Sequence, residues 1–153
     1  MVIIAFGMHE GDVRATLSHR RCIAGSDGWM MSFDAEPCPH SRNFASAARL
    51  SATYVRDEQM FTPEDAVRKL TSLPVYRLGL DDHGRTTLGA VAYVAVLDLD
   101  RLTQRATFEA PSRHPEDIAS VLVAGRVAVE GGKVTGQRAG WQLARPELEV
   151  AQR

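Results

Sequence analysis

The chain has 153 residues, 44% of them hydrophobic and 24% charged, which suits one globular domain with room for a modest core. Its 18 Lys+Arg against 19 Asp+Glu leave a net charge of −1, so the charge balance favours neither a nucleic-acid partner nor an anionic membrane surface. No apolar run approaches the ~18 residues of a membrane span, the opening MVIIAF lacks the basic flank of a signal peptide, and the two cysteines have no CxxC or CxxH spacing, so free thiols in a cytoplasmic protein are expected.

Along the chain, the continuous apolar run VIIAFG (residues 2–7) predicts a strand buried on both faces. MHEGDVRATLSHR follows as a helix, with Val13 and Leu17 on one face, Glu10 and Asp12 early, and His19, Arg20 and Arg21 late, in keeping with the helix dipole. RCIAG predicts a second short buried strand at residues 22–24, completing the strand–helix–strand order of a parallel α/β fold. Residues 29–42 contain two prolines and no period, so they read as a long loop. A helix is expected over residues 43–57, with Ala47, Leu50 and Tyr54 on its buried face.

TPEDAVRKLTSLP carries the clearest local signal, with Thr62 as N-cap, Pro63 at the first helical position and Glu64 and Asp65 in the first turn. Ala66, Leu70 and Leu73 make its apolar stripe, and Pro74 is expected to close the helix. VRDE and PEDAVRK read as solvated helix faces. Beyond Gly79 the character becomes β-prone. A strand is expected within residues 91–97, a loop over 98–115, and a hairpin from Val121 to Val129 turning at Ala124-Gly125. A second turn at Gly131-Gly132 leads to a short strand through Val134.

These stretches, above all DVRATLSHRRCIAGSDG, YVRDEQMFTPEDAVRKLTSLPVYRLGL and GRTTLGAVAYVAVLDLD, resemble the carboxy-terminal part of the N-acyl-D-amino-acid deacylases, which include the D-aminoacylases and belong to the amidohydrolase superfamily. RATFEAP, IASVLVAGRVAVEGGKVTG and RAGWQL fit the last segment of the same family, so the resemblance spans almost the whole chain. It implies the last two β/α units of a TIM-type barrel over residues 1–80, incomplete in this chain, followed over residues 81–153 by the carboxy-terminal share of a composite β-sandwich.

The resemblance also implies a reaction. In the family a metal-activated water attacks an acyl-amide carbon, and an aspartate at the end of the eighth strand takes the water's proton and returns it to the leaving amine. The matching residue is Asp27 in GSDG, which read alone is equally a turn aspartate. Ser26, Gly28, His40 and Arg42 are then candidates for substrate contact, with Arg42 suited to a substrate carboxylate. Gly25 and Gly28 are expected to permit a sharp turn and close approach.

Zinc is the implied cofactor. Of its ligands only Asp27 is a candidate here, in a completed site, because the five histidines make no H-x-H or H-x-x-x-H pair. Three positions depart from the family pattern: Ser41 replaces the proline of a His-Pro-Arg segment, Leu88 replaces that of a Pro-Gly pair, and Tyr93 replaces the aspartate of an Ala-Asp pair. The expected function is hydrolysis of N-acyl-D-amino acids by a carboxy-terminal fragment inactive alone. A non-catalytic module that completes a split barrel with a separate amino-terminal chain is one alternative, and a cyclic-amide hydrolase is another.

Overall fold

The computed structural model describes residues 7–29 and 39–143. All but the last residue of the expected strand at residues 2–7, most of the 29–42 loop with Met30, Met31 and Cys38, and the tail from residue 144 lie outside the described residues.

Among the described residues, four α-helices and one π-helix precede a small sheet. Helix α1 (Glu10–Ser18) is capped by His9, whose Nδ1 accepts the Gly11 N–H at 3.0 Å, and its first turn carries Glu10 and Asp12. The basic residues expected at its end fall just beyond it, since His19 is already the C-cap. Helix α2 (Arg42–Arg49) runs directly into the π-helix (Leu50–Asp57). The sequence signal for one helix was therefore correct in extent, but its second half is wound more widely. The Glu58 N–H reaches back five residues to the Thr53 carbonyl at 2.9 Å.

This rod is buried on two sides. Leu50, Tyr54 and Val55 pack with Ala66, flanked by Val13 and Leu17 of α1, whereas Ala48 and Ala52 pack on Leu102. Ala47, expected on the buried face, is exposed, because the two buried faces turn it outward to solvent. Tyr54 Oη donates to Glu10 Oε1 at 2.6 Å, and Arg14 donates twice to Glu58, so α1 is tied along the π-helix by polar contacts as well as apolar ones.

Helix α3 (Pro63–Leu70) begins as its sequence predicts, with Thr62 Oγ1 accepting the Asp65 N–H at 3.3 Å. Pro74 does not close it. A second helix, α4 (Ser72–Leu78), starts after Thr71 and carries Pro74 in its own first turn, where a missing N–H leaves no intrahelical bond unmade. The helix instead stops at Gly79, in the left-handed region at φ 72°.

Strands β1 (Val94–Leu97), β2 (Ile118–Val123), β3 (Arg126–Glu130) and β4 (Lys133–Val134) form one antiparallel meander. Val94 pairs with Leu122, Val121 with Val129, and Val129 with Val134. Ala124 and Gly125 both take positive φ (51° and 78°), as a two-residue hairpin turn with the twist of its strands requires. No second sheet occurs among the described residues.

Residues 98–115 have the loop character expected, yet they hold the most deeply buried apolar side chain among the described residues, Leu102 at 1% exposure. Arg56 Nη1 donates to the Leu102 carbonyl at 2.6 Å and thereby ties the π-helix to this loop. Truncating Leu102 to alanine opens a cavity between rod and sheet, and urea unfolding should show about 2–5 kcal/mol of lost stability.

Candidate functional site

Residues 22–24 were expected to be a strand. They lie in no β-ladder among the described residues: a strand is defined by a neighbour to bond with, and residues 2–6, where that neighbour is expected, are outside that set. Their anchor is a helix end: the Ala24 N–H donates to the Lys69 carbonyl at 3.2 Å, satisfying one of the carbonyls left over at the end of α3. From this anchor the chain turns outward through Gly25 and Ser26 to Asp27.

Asp27 takes φ 50°, a left-handed conformation that aspartate tolerates better than most residues. The sharp bend thus falls on Asp27 itself, and neither Gly25 nor Gly28 has a positive φ. Gly28 is required for another reason. A Cβ there would lie 2.9 Å from Asn43 Oδ1 and 3.3 Å from Asn43 Cα. Ser26 Oγ accepts the Gly28 N–H at 3.0 Å, and Asn43 Oδ1 accepts the Trp29 N–H at 2.7 Å, so the turn is docked on the first turn of α2.

The Asp27 carboxylate, 83% exposed, accepts an ion pair from Arg42 Nη1 at 3.0 Å. Arg42 opens α2, and its own N–H donates to His40 Nδ1 at 3.1 Å. That bond leaves the proton of a neutral His40 on Nε2. His40 meets Phe108 edge to face at 5.3 Å, which brings the 98–115 loop to the rim of the site. Burial first, and then the Arg42 charge, hold the His40 pKa below its ordinary value of 6.5.

The structure therefore brings Ser26, Asp27, Gly28, His40 and Arg42 into one cluster, with Asn43 added. Sequence reasoning missed Asn43 because a lone helical asparagine has no pattern to distinguish it. No group of three or more His, Cys, Asp and Glu side chains converges among the described residues, so they do not form a zinc site. Cys22 is a half-buried free thiol. No helix of the described residues is long and apolar enough to cross a membrane.

PEDAVRK was read as a solvated face, and here the structure differs. Lys69 is 0% exposed. Its ammonium donates to the His19 carbonyl at 2.7 Å, sits 3.5 Å from Asp65 Oδ2 and lies over the Phe61 ring. Asp65 and Arg68 pair on the same helix, and Arg68 reaches on to the Arg20 carbonyl at 2.5 Å. A single buried lysine within a charged run has no sequence signature.

Comparison with known proteins places the chain in a family. The amidohydrolase family model matches residues 8–129, and the chain belongs to that family. Within it the chain is 43% identical over 122 residues to the N-acyl-D-glutamate deacylase of Alcaligenes xylosoxydans xylosoxydans, covering 80% of this chain and 24% of that protein. A solved D-aminoacylase, described as defining a novel subset of amidohydrolases, superposes with a TM-score of 0.80 at 34% identity, over 87% of this chain and 27% of the other. The N-acyl-D-glutamate deacylase of Bordetella bronchiseptica, solved with zinc and a phosphonate mimic of the tetrahedral intermediate, superposes with a TM-score of 0.73 at 36% identity, over 79% and 25%. The resemblance read from sequence is thus borne out, and the chain spans about a quarter of the length of these relatives.

His40 gives a pH test. Its depressed pKa means that the unfolded chain binds the proton more readily, so its contribution to stability is complete above pH 6.5 and is lost as pH falls through the folded value. Urea midpoints should fall between pH 7.5 and pH 5, and His40→Gln should narrow that fall.

Proposed function

We propose that this chain supplies the Asp27-bearing part of an N-acyl-D-amino-acid hydrolase. The single observation that carries the reading is the placement of Asp27. It is an exposed carboxylate three residues beyond the Ala24–Lys69 anchor, with a guanidinium beside it, in a chain 43% identical to an N-acyl-D-glutamate deacylase.

In this reading the substrate is an N-acyl-D-amino acid. Water adds to the acyl carbon, the C–N bond breaks, and a carboxylate and a D-amino acid leave. The amine must gain a proton as it departs, and the water must lose one. Asp27 carries that proton, since an exposed carboxylate on a rigid turn can accept it and return it. Arg42 pairs with Asp27 and presents further N–H donors to the carboxylate of the substrate, a geometry that lysine does not reproduce. Ser26 and Gly28 shape the turn, and His40, with its Nε2 proton, lines its rim.

Zinc belongs to this reading through the relatives. No group of three or more potential ligands converges among the described residues, so Asp27 would join a centre whose other ligands lie in the rest of such a protein. Residues 1–80 are assigned to the barrel part of that protein and residues 81–153 to its sandwich part. The isolated chain should then hold only substoichiometric zinc after dialysis and should leave N-acyl-D-glutamate unhydrolysed.

A chimera tests the reading directly. In it, this chain replaces the matching segment of the Alcaligenes N-acyl-D-glutamate deacylase. The chimera should release D-glutamate. Asp27→Asn should lower its kcat on the order of 100-fold or more, and Arg42→Ala should raise KM. A chimera that hydrolyses its substrate equally well with Asp27→Asn would remove Asp27 from the reaction.

A further inference from the structure

The segment that leads to Asp27 is held by α3 at three points. Lys69 Nζ donates to the His19 carbonyl at 2.7 Å, and the same carbonyl also accepts the Cys22 N–H at 2.9 Å. Arg68 Nη2 donates to the Arg20 carbonyl at 2.5 Å. The Lys69 carbonyl accepts the Ala24 N–H at 3.2 Å. Asp65 joins the two cations from one turn earlier, with Oδ1 on Arg68 Nε at 2.9 Å and Oδ2 3.5 Å from Lys69 Nζ. Thr62 Oγ1 in turn accepts the Asp65 N–H, so the acid is fixed by the cap of its own helix. Burial would push the Asp65 pKa up, but the Arg68 hydrogen bond and the Lys69 and Arg68 charges outweigh it, and the group lies below its ordinary value.

A buried ammonium needs its donors used. Lys69 uses them on a main-chain carbonyl eight residues before Asp27, on Asp65 and on the Phe61 ring, with no exposure to water. Its reach is short and its partner is backbone, so it constrains where the 19–24 segment lies relative to α3. Asp27 follows that segment by three residues, and its own turn is docked on α2 through the Trp29–Asn43 bond.

We propose that Lys69 is a positioning residue for Asp27, acting through the His19 carbonyl and the 19–24 segment. This rests on the reading of Asp27 as the reacting carboxylate, but its test reads the segment itself and needs no hydrolysis.

Amide hydrogen exchange of the full chain compares wild type with Lys69→Met. Exchange at Ala24 and Trp29 should rise on the order of tenfold, while the Ala66 and Met60 amides, bonded to Thr62 and Tyr54, keep their protection. The guanidinium NMR signals of Arg42 should change in Lys69→Met as they change in Asp27→Asn, a signature that loss of packing at α3 alone does not produce. Unchanged exchange at Trp29, or Arg42 signals like those of wild type, would overturn the proposal. If Lys69→Met loses protection throughout the chain, Arg68→Ala decides: a rise confined to Ala24 and Trp29 supports the clamp, and no rise there overturns it. Failure of the chimera to hydrolyse N-acyl-D-glutamate would sink the proposed function and leave the exchange result standing.

Discussion

A lysine side chain with no contact to water is costly unless its charge is answered, and Lys69 is answered by a carbonyl, a carboxylate and an aromatic face. Much of the first half of the fold follows from that constraint. The chain after α1 must pass within hydrogen-bonding distance of the end of α3, and the carbonyls left unpaired there are met partly by that chain. The direction in which Asp27 leaves the protein is decided at this contact.

Magnitudes show why the decision lies there and not at the Asp27–Arg42 pair. Asp27 is mostly exposed, and an ion pair in water contributes about 0–1 kcal/mol. Removing one partner of a buried charge costs about 3–5 kcal/mol. The surface pair sets the electrostatics of the carboxylate, whereas the buried cation sets its place. The proton-carrying role proposed for Asp27 suits this division, since such a group must be accessible and yet held at one position. The second anchor, from Trp29 to Asn43, closes the turn on the other side and accounts for Gly28, whose added Cβ would strike Asn43.

Elements with strong local chemistry were legible in the sequence. Thr62-Pro63 started a helix as caps do, and Ala124-Gly125 turned a hairpin because two positive φ values in a row favour glycine nearby. The carboxylate Asp27 was legible through its motif, and Ser26, Gly28, His40 and Arg42 gathered round it. What escaped were features set by tertiary contact. Pro74 looked like a terminator but occupies the first turn of a new helix. Ala47 lost its place in the core because the rod is buried on two other sides. Leu102 is buried from within a polar loop. Lys69 sits in a run whose composition describes solvent exposure. The π-helical winding of Leu50–Asp57 changes hydrogen-bond register without changing the apolar pattern that period reasoning reads.

The claim that α3 acts on the chemistry through Asp27 is tested most directly by a double-mutant cycle in the hydrolytic chimera, with kcat measured for Lys69→Met alone, Asp27→Asn alone and both together. If Lys69 works by placing the carboxylate, Lys69→Met lowers kcat while Asp27 is present and has no further effect once Asp27→Asn has removed the acid. An equal loss of kcat in both backgrounds would contradict the account, because Lys69 would then support the fold without acting through Asp27.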